Sequence, residues 1–252
     1  MIKTEHLSDS VTLHLADCHD VPRELLRADA LVSDPPYGKG ERTNRLATGR
    51  SNNFGQAKSR ADGWAKDWPP VKGDDKPFDP TPWLAYPKII LFGANWYCSR
   101  LPDASKWIVW DKREGTTPDD NADCELAWTN LGGPTRIHRQ LWRGICRRGE
   151  ENIAGGQGRV HPTQKPIELM TFCLQACRLN PGDTVLDPYM GAGATGVAAV
   201  RLGLNFIGVE WEPIYFDTAC RRIAEAVRQP DMFIEKPARA KIAELDLTTG
   251  RP

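Results

Sequence analysis

The chain carries no net charge: 33 lysines and arginines face 33 aspartates and glutamates over 252 residues. Global electrostatics therefore points to no polyanionic or membrane partner, and only local clusters can do so. It also lacks a Cys-x-x-Cys pair. Its 7 cysteines are odd in number and scattered, which argues against a zinc site or a disulfide framework, so no metal is expected. Cys173 and Cys177, spaced for one helix face, read as core packing. No apolar run reaches membrane-spanning length, and Met1-Ile2-Lys3-Thr4-Glu5-His6 has no apolar signal core. The expectation is a cytoplasmic protein without membrane contact. No internal repeat is present, and the length suits a single α/β domain over residues 1–252.

What is present is a succession of short apolar runs separated by turn chemistry. Val11–Leu15 alternates as a strand does, Val21–Arg27 reads as a short helix, and Ala30-Leu31-Val32 as a strand. From Gly38 to Pro80 no periodicity survives, the mark of a mobile loop. Strands resume at Lys88–Phe92 and Lys106–Trp110, around a helical stretch Asn95–Leu101. Ala127-Trp128 and Arg136–Trp142 read as edge strands with mixed faces. Pro166 opens a helix carrying the stripe Ile167, Met170, Cys173, Leu174 and Cys177, which Asn180-Pro181-Gly182 closes. A strand to Asp187, a helix Gly193–Leu202, a strand Phe206–Val209 and a helix to about Val227 follow. Residues 229–252 form a polar tail.

Two segments carry chemistry, and both follow strands, at the sheet edge where α/β folds bind ligands. The first is Ser33-Asp34-Pro35-Pro36-Tyr37. It offers a carboxylate, carbonyls held rigidly by two prolines, and an aromatic plate. The second is Asp187-Pro188-Tyr189-Met190-Gly191-Ala192-Gly193-Ala194-Thr195-Gly196. It satisfies the dinucleotide pattern G-x-G-x-x-G, so a nicotinamide dehydrogenase is one reading. Against that reading, three residues separate Asp187 from Gly191, and a carboxylate at the strand end would repel a pyrophosphate. Glu210 ends the next strand, where an acidic side chain can accept ribose hydroxyls, with Trp211 beside it to cover a base. His161-Pro162-Thr163-Gln164-Lys165-Pro166 stands at a helix entrance, which favours a carboxylate ligand held by Thr163 and Lys165.

In this combination and order, from about Leu13 to Ile223, the chain resembles the permuted β-class amino-methyltransferases of DNA. Solitary methylases of phages and prophages look most similar, through Ile90-Leu91-Phe92-Gly93-Ala94-Asn95, Trp107-Ile108-Val109-Trp110-Asp111-Lys112 and Glu125-Leu126-Ala127-Trp128. The resemblance implies an α/β fold with a Rossmann-like class I methyltransferase sheet. That sheet would have seven strands, mostly parallel with one antiparallel, helices on both faces, and a circularly permuted motif order. It implies transfer of a methyl group from S-adenosylmethionine to adenine N6 in DNA by base flipping, with cytosine N4 as the alternative. A non-catalytic DNA binder is a more distant reading, opposed by intact Asp34, Tyr37 and Asp187.

The same resemblance assigns catalysis to Asp34, Pro35, Pro36 and Tyr37. Cofactor contact falls to Asp17, Cys18, Asp34, His161, Thr163, Gln164, Lys165, Asp187, Tyr189, Met190, Gly191, Gly193, Thr195, Glu210 and Trp211. DNA contact is expected from two basic regions. One is the loop over 38–80, with Lys39, Arg42 and Arg45. The other is a target-recognition region over 112–160, with Arg136, Arg139, Arg143, Arg147 and Arg148. No nuclease domain is expected within this chain, and homodimerisation stays open.

Overall fold

The two apolar runs that precede the motifs, β3 (Ala30–Ser33) and β10 (Thr184–Asp187), lie side by side as parallel strands, with Val185 opposite Ala30 and Leu186 opposite Leu31. The computed structural model describes residues 2–40, 71–116, 122–143, 146–147 and 164–229, with residues 143, 146 and 147 described through their backbone. The other strands of the main sheet are β1 (Lys3–Ser8), β2 (Val11–Leu15), β4 (Ile89–Phe92), β5 (Trp107–Asp111), β6 (Cys124–Thr129), β7 (Arg136–Arg139) and β11 (Asn205–Glu210). Their order is β1-β2-β11-β10-β3-β4-β6-β5-β7. β8 (Trp142–Arg143) and β9 (Cys146–Arg147) pair as a separate two-stranded ribbon. The α-helices among the described residues are α1 (Ile167–Ala176), α2 (Ala194–Arg201) and α3 (Pro213–Arg228).

The α/β class stands, with a mostly parallel sheet, but the strand count is nine rather than seven. Two strands run antiparallel to the rest, the edge strand β1 and the interior strand β6. β1 has no fully buried residue and packs on the core through the partly buried Leu7, so it left little apolar signature. Ala127-Trp128, read as an edge, belongs to β6, which is buried between β4 and β5. The helices expected over Val21–Arg27 and Asn95–Leu101 are 3-10 turns at Arg23–Leu26, Ala94–Trp96 and Cys98–Arg100.

Strand residues alternate between two cores. Ala30, Val32, Ile90, Phe92 and Val185 pack beneath α1, α2 and α3, while Leu31, Ile89, Leu91 and Leu186 face Leu26, Phe78, Trp83 and Tyr97. Helices were expected on both faces. Instead all three described α-helices share one face, and loops with 3-10 turns tile the other. Crossover handedness explains the division. From β2 to β3 and from β3 to β4 the chain moves one way across the sheet; through α1 to β10 and through α2 to β11 it moves the other way. Right-handed crossovers then place the two sets of connections on opposite faces. Between β3 and β10 the direction reverses, opening a crevice at the strands' carboxyl ends. Among the described residues no helix is long and apolar enough to cross a membrane.

Candidate functional site

Asp34 leaves β3 at that crevice with both carboxylate oxygens engaged. The Tyr37 hydroxyl donates to Oδ1 at 2.5 Å, and the Lys165 ammonium donates to Oδ2 at 2.5 Å. Lys165, only 7% exposed, also lies 3.0 Å from Oε2 of Glu125, whose Oε1 takes the Lys112 ammonium at 3.0 Å. Because β6 is antiparallel, its first residues rather than its last reach this edge of the sheet, and so Glu125 arrives beside Asp34. Burial moves the Asp34 carboxyl above its ordinary value, with the Lys165 ammonium pulling the other way. Burial also pushes the Glu125 carboxyl up, but Lys165 and Lys112 outweigh it and hold it at about 2. Lys165 is disfavoured as a cation by burial, yet Asp34 and Glu125 keep it charged beyond the usual lysine range. Burial and the neighbouring Asp34 hold the Tyr37 phenol well above its usual value, so it stays a donor.

Tyr37 is placed by what surrounds it. Gly93 adopts φ +67°, and a Cβ there would fall 2.0 Å from the Tyr37 ring. The Lys39 ammonium sits 5.3 Å from the Tyr37 ring centre and 5.4 Å from that of Trp96, which is 56% exposed. Buried Asp74 fixes the chain beyond the tetrapeptide, accepting from the Gly38 amide at 2.8 Å.

One strand away, Asp187 is a buried clasp. Its oxygens accept from Ser33 Oγ at 2.6 Å, Thr195 Oγ1 at 2.6 Å and the Tyr189 amide at 3.1 Å. Burial outweighs these donors and lifts its carboxyl to about 6. The glycine loop is closed by the Gly193 amide on the Met190 carbonyl at 2.8 Å. Gly193 is left-handed at φ +77°, and a Cβ there would press on Ile223 and Ala219 of α3. Glu210, ending β11, accepts from the Gly191 amide at 2.9 Å and the Glu212 amide at 2.7 Å, and burial lifts its carboxyl to about 7. The half-exposed Trp211 ring lies 5.3 Å from Lys72, which pairs with Glu212 at 3.2 Å. Asp17 stands two residues past β2 and caps the His19 amide at 2.9 Å. Cys18 is buried and its thiol is pushed up to about 12. Tyr189 packs edge-on against Phe78 and Trp83.

The crevice thus brings together Asp34, Tyr37, Lys165, Asp187, the glycine loop and Glu210. Gln164 is buried beside Lys165, and its carbonyl accepts from the Trp142 indole at 3.1 Å. Arg139 ends β7 at the same sheet edge, exposed and 3.6 Å from Asp111, whereas Arg136 begins β7 at the opposite edge. Arg143 and Arg147 fall on the β8–β9 ribbon and are described through their backbone alone. His161, Thr163, Arg42, Arg45 and Arg148 lie outside the described residues, as do most of the expected 38–80 loop and the tail beyond residue 229. Sequence reasoning gave no role to Glu125, Lys112, Asp74, Ser33 or Gly93. The signal for Glu125 was a charge opening an otherwise apolar strand.

A family model described as DNA methylase matches residues 109–221. The Type II methyltransferase M.HinfI of Haemophilus influenzae is 38% identical over 94 residues, 37% of this chain and 26% of that protein. The Type II methyltransferase M2.MboI of Moraxella bovis is 31% identical over 132 residues, 52% of this chain and 45% of that protein. The chain therefore spans less than half the length of these curated relatives. Among solved structures, the PvuII DNA methyltransferase (cytosine-N4-specific) superposes with a TM-score of 0.50, covering 91% of this chain and 89% of its own at 13% identity, a likeness of fold alone.

Proposed function

We propose, on the match of residues 109–221 to a family model described as DNA methylase, that the chain is an S-adenosylmethionine-dependent DNA amino-methyltransferase acting on adenine N6. The observation that carries this reading is the placement of Asp34 and Tyr37 one strand from Asp187 and the glycine loop, at the sheet's switch point. The donor set suits the cofactor. Asp17, Asp187 and Glu210 at the strand ends favour a cationic amino-acid sulfonium and would repel a diphosphate, which argues against a dehydrogenase. Carboxylate oxygens carry more than one acceptor site, so Glu210 can take ribose hydroxyls as well as amides. When bound, S-adenosylmethionine supplies an electrophilic methyl group.

The rest is the work of this chain's own side chains. An exocyclic amine is a poor nucleophile because its lone pair is delocalised into the ring. Asp34 can accept one of its N–H bonds and the Pro35 carbonyl the other, which turns the nitrogen lone pair out of the ring plane. Tyr37 offers a face for a base taken out of its stack. Lys39 beside Tyr37 and Trp96, and Arg139 at the same edge, supply positive charge for the phosphate backbone. Adenine is chosen over cytosine in this reading because a tetrapeptide beginning with Asp is most similar to that of the adenine-N6 enzymes of the family the sequence resembles.

Sequencing of modified bases in DNA treated with the pure protein tests both base and activity. N6-methyladenine is expected; N4-methylcytosine would replace the adenine assignment, and unmodified DNA would remove the enzyme reading. Within the site, single-turnover rates should rank wild type, Tyr37→Trp, Tyr37→Ala, Asp34→Ala. Loss of stacking alone should cost about 1–3 kcal/mol. An Asp34→Ala protein as fast as wild type would sink the mechanism.

A further inference from the structure

Lys165 was expected to hold the cofactor's carboxylate, yet its ammonium is spent between two carboxylates of the chain itself. It lies 2.5 Å from Asp34 Oδ2 and 3.0 Å from Glu125 Oε2, and Glu125 is in turn held by Lys112 at 3.0 Å. We propose that Lys165 and Glu125 are positioning residues for the target amine: Lys165 fixes the Asp34 carboxylate in the direction that receives the amino group, and Glu125 holds Lys165 there. This deepens the methyltransferase reading and rests on it.

A carboxylate on a flexible Cβ–Cγ bond rotates freely unless both oxygens are tied. Here the ties come from opposite sides, the Tyr37 hydroxyl on Oδ1 and Lys165 on Oδ2. Tyr37 is also the residue that a stacked base must meet, so its hydroxyl is the tie exposed to displacement when the base arrives. Lys165, 7% exposed and anchored by Glu125, is the tie that remains. Buried charges of this kind contribute little net stability and are instead a means of enforcing one arrangement. Glu125 also sets the charge balance. With Lys165 alone, the ammonium would draw charge from the Asp34 carboxylate and weaken it as an acceptor. With Glu125 sharing the ammonium, the Asp34 carboxylate keeps acceptor strength for an N–H bond, since the Glu125 charge opposes that of Lys165 at Asp34.

The experiment compares Lys165→Met, Glu125→Gln and Glu125→Asp with wild type. S-adenosylhomocysteine affinity is read by calorimetry, and single-turnover methylation at saturating cofactor is read across pH. The groups facing Asp34 are Lys165, Tyr37 and Glu125, with Tyr97 and Asp187 behind them. Lys165→Met should slow methylation at least a hundredfold and leave S-adenosylhomocysteine affinity within twofold. Glu125→Gln should slow it at least tenfold and move the acid limb of the profile to lower pH, because the Glu125 charge that raises the Asp34 carboxyl is gone. Glu125→Asp should recover part of the rate. The proposal is overturned if Lys165→Met instead weakens S-adenosylhomocysteine tenfold or more at an unchanged saturating rate, or if Glu125→Gln changes neither rate nor profile. Should a variant fail to fold, the wild type decides. Nitrogen-15 spectra of the lysine ammonium groups should contain a slowly exchanging Lys165 signal at neutral pH, and its absence overturns the network. A wild type inactive on DNA counts against the functional reading alone, since affinity and ammonium exchange are read without DNA.

Discussion

Tyr37 can lie where it does because residue 93 has no side chain. The Gly93 backbone is left-handed, and a Cβ there would overlap the Tyr37 ring at 2.0 Å. Gly93→Ala is expected to cost about 1–2 kcal/mol from the backbone alone, to push the ring off Asp34, and to slow single-turnover methylation. Urea midpoints and methylation rates on the same sample measure both, and an unchanged rate would show that the ring has another place to go. At this scale the sequence was legible where a motif is contiguous. Asp34, Tyr37 and Glu210 were recognisable because strand ends and turn residues announce themselves locally. Glu125, Lys112 and Lys165 form one cluster from three elements, and nothing in the local pattern states which β6 residue faces β3. That depends on β6 running antiparallel.

Among the elements, the Asp187 clasp matters most, because it ties β3, β10 and α2 through Ser33 and Thr195. Ser33→Ala removes a donor to a buried carboxylate and should cost about 1.5–3 kcal/mol, measured as a lower urea midpoint at constant slope. Asp187 and Glu210 also give the cofactor-free protein a pH dependence. Burial raises their folded-state carboxyls to about 6 and about 7. An acid whose folded value lies above its unfolded one favours the folded state most at low pH, and that contribution declines until pH passes the folded value. Stability from these two groups should therefore fall from about pH 4 to about pH 7, and Glu210→Gln should flatten the upper part of that decline. Ligand hydroxyls that favour the Glu210 anion should make S-adenosylhomocysteine bind more tightly as pH rises through about 7, with proton release below it. Calorimetry in buffers of different ionisation enthalpy reads this directly; proton uptake would contradict it. The helices α1, α2 and α3 were legible from apolar spacing. The 3-10 turns were not, because a three- or four-residue element carries no periodicity to detect.

For the molecule as a whole, the parallel centre of the sheet was readable from its apolar runs, and of the two edges β7 was readable within Arg136–Trp142 while β1 was not. β7 is mostly exposed, and β1 has no fully buried residue, with Leu7 alone of its apolar side chains packed on the core. Hydrophobic pattern therefore undercounts strands at the β1 margin. The centre has a further property, since its neighbours in space are remote in sequence. Ser33 and Asp187 touch across 154 residues, and β2 pairs with β11 from the far end of the chain. On a ribosome adding about 5–20 residues per second, the Asp-Pro-Pro-Tyr segment is made roughly 7–30 s before the strand that completes its crevice. During that interval β2 and β3 offer unpaired apolar edges to whatever else is nearby. The burden of synthesis thus falls on the half of the protein that is made first, and stalled chains ending before residue 184 should be sensitive to protease and bound by holdase chaperones, while chains extended past residue 228 should be released from both.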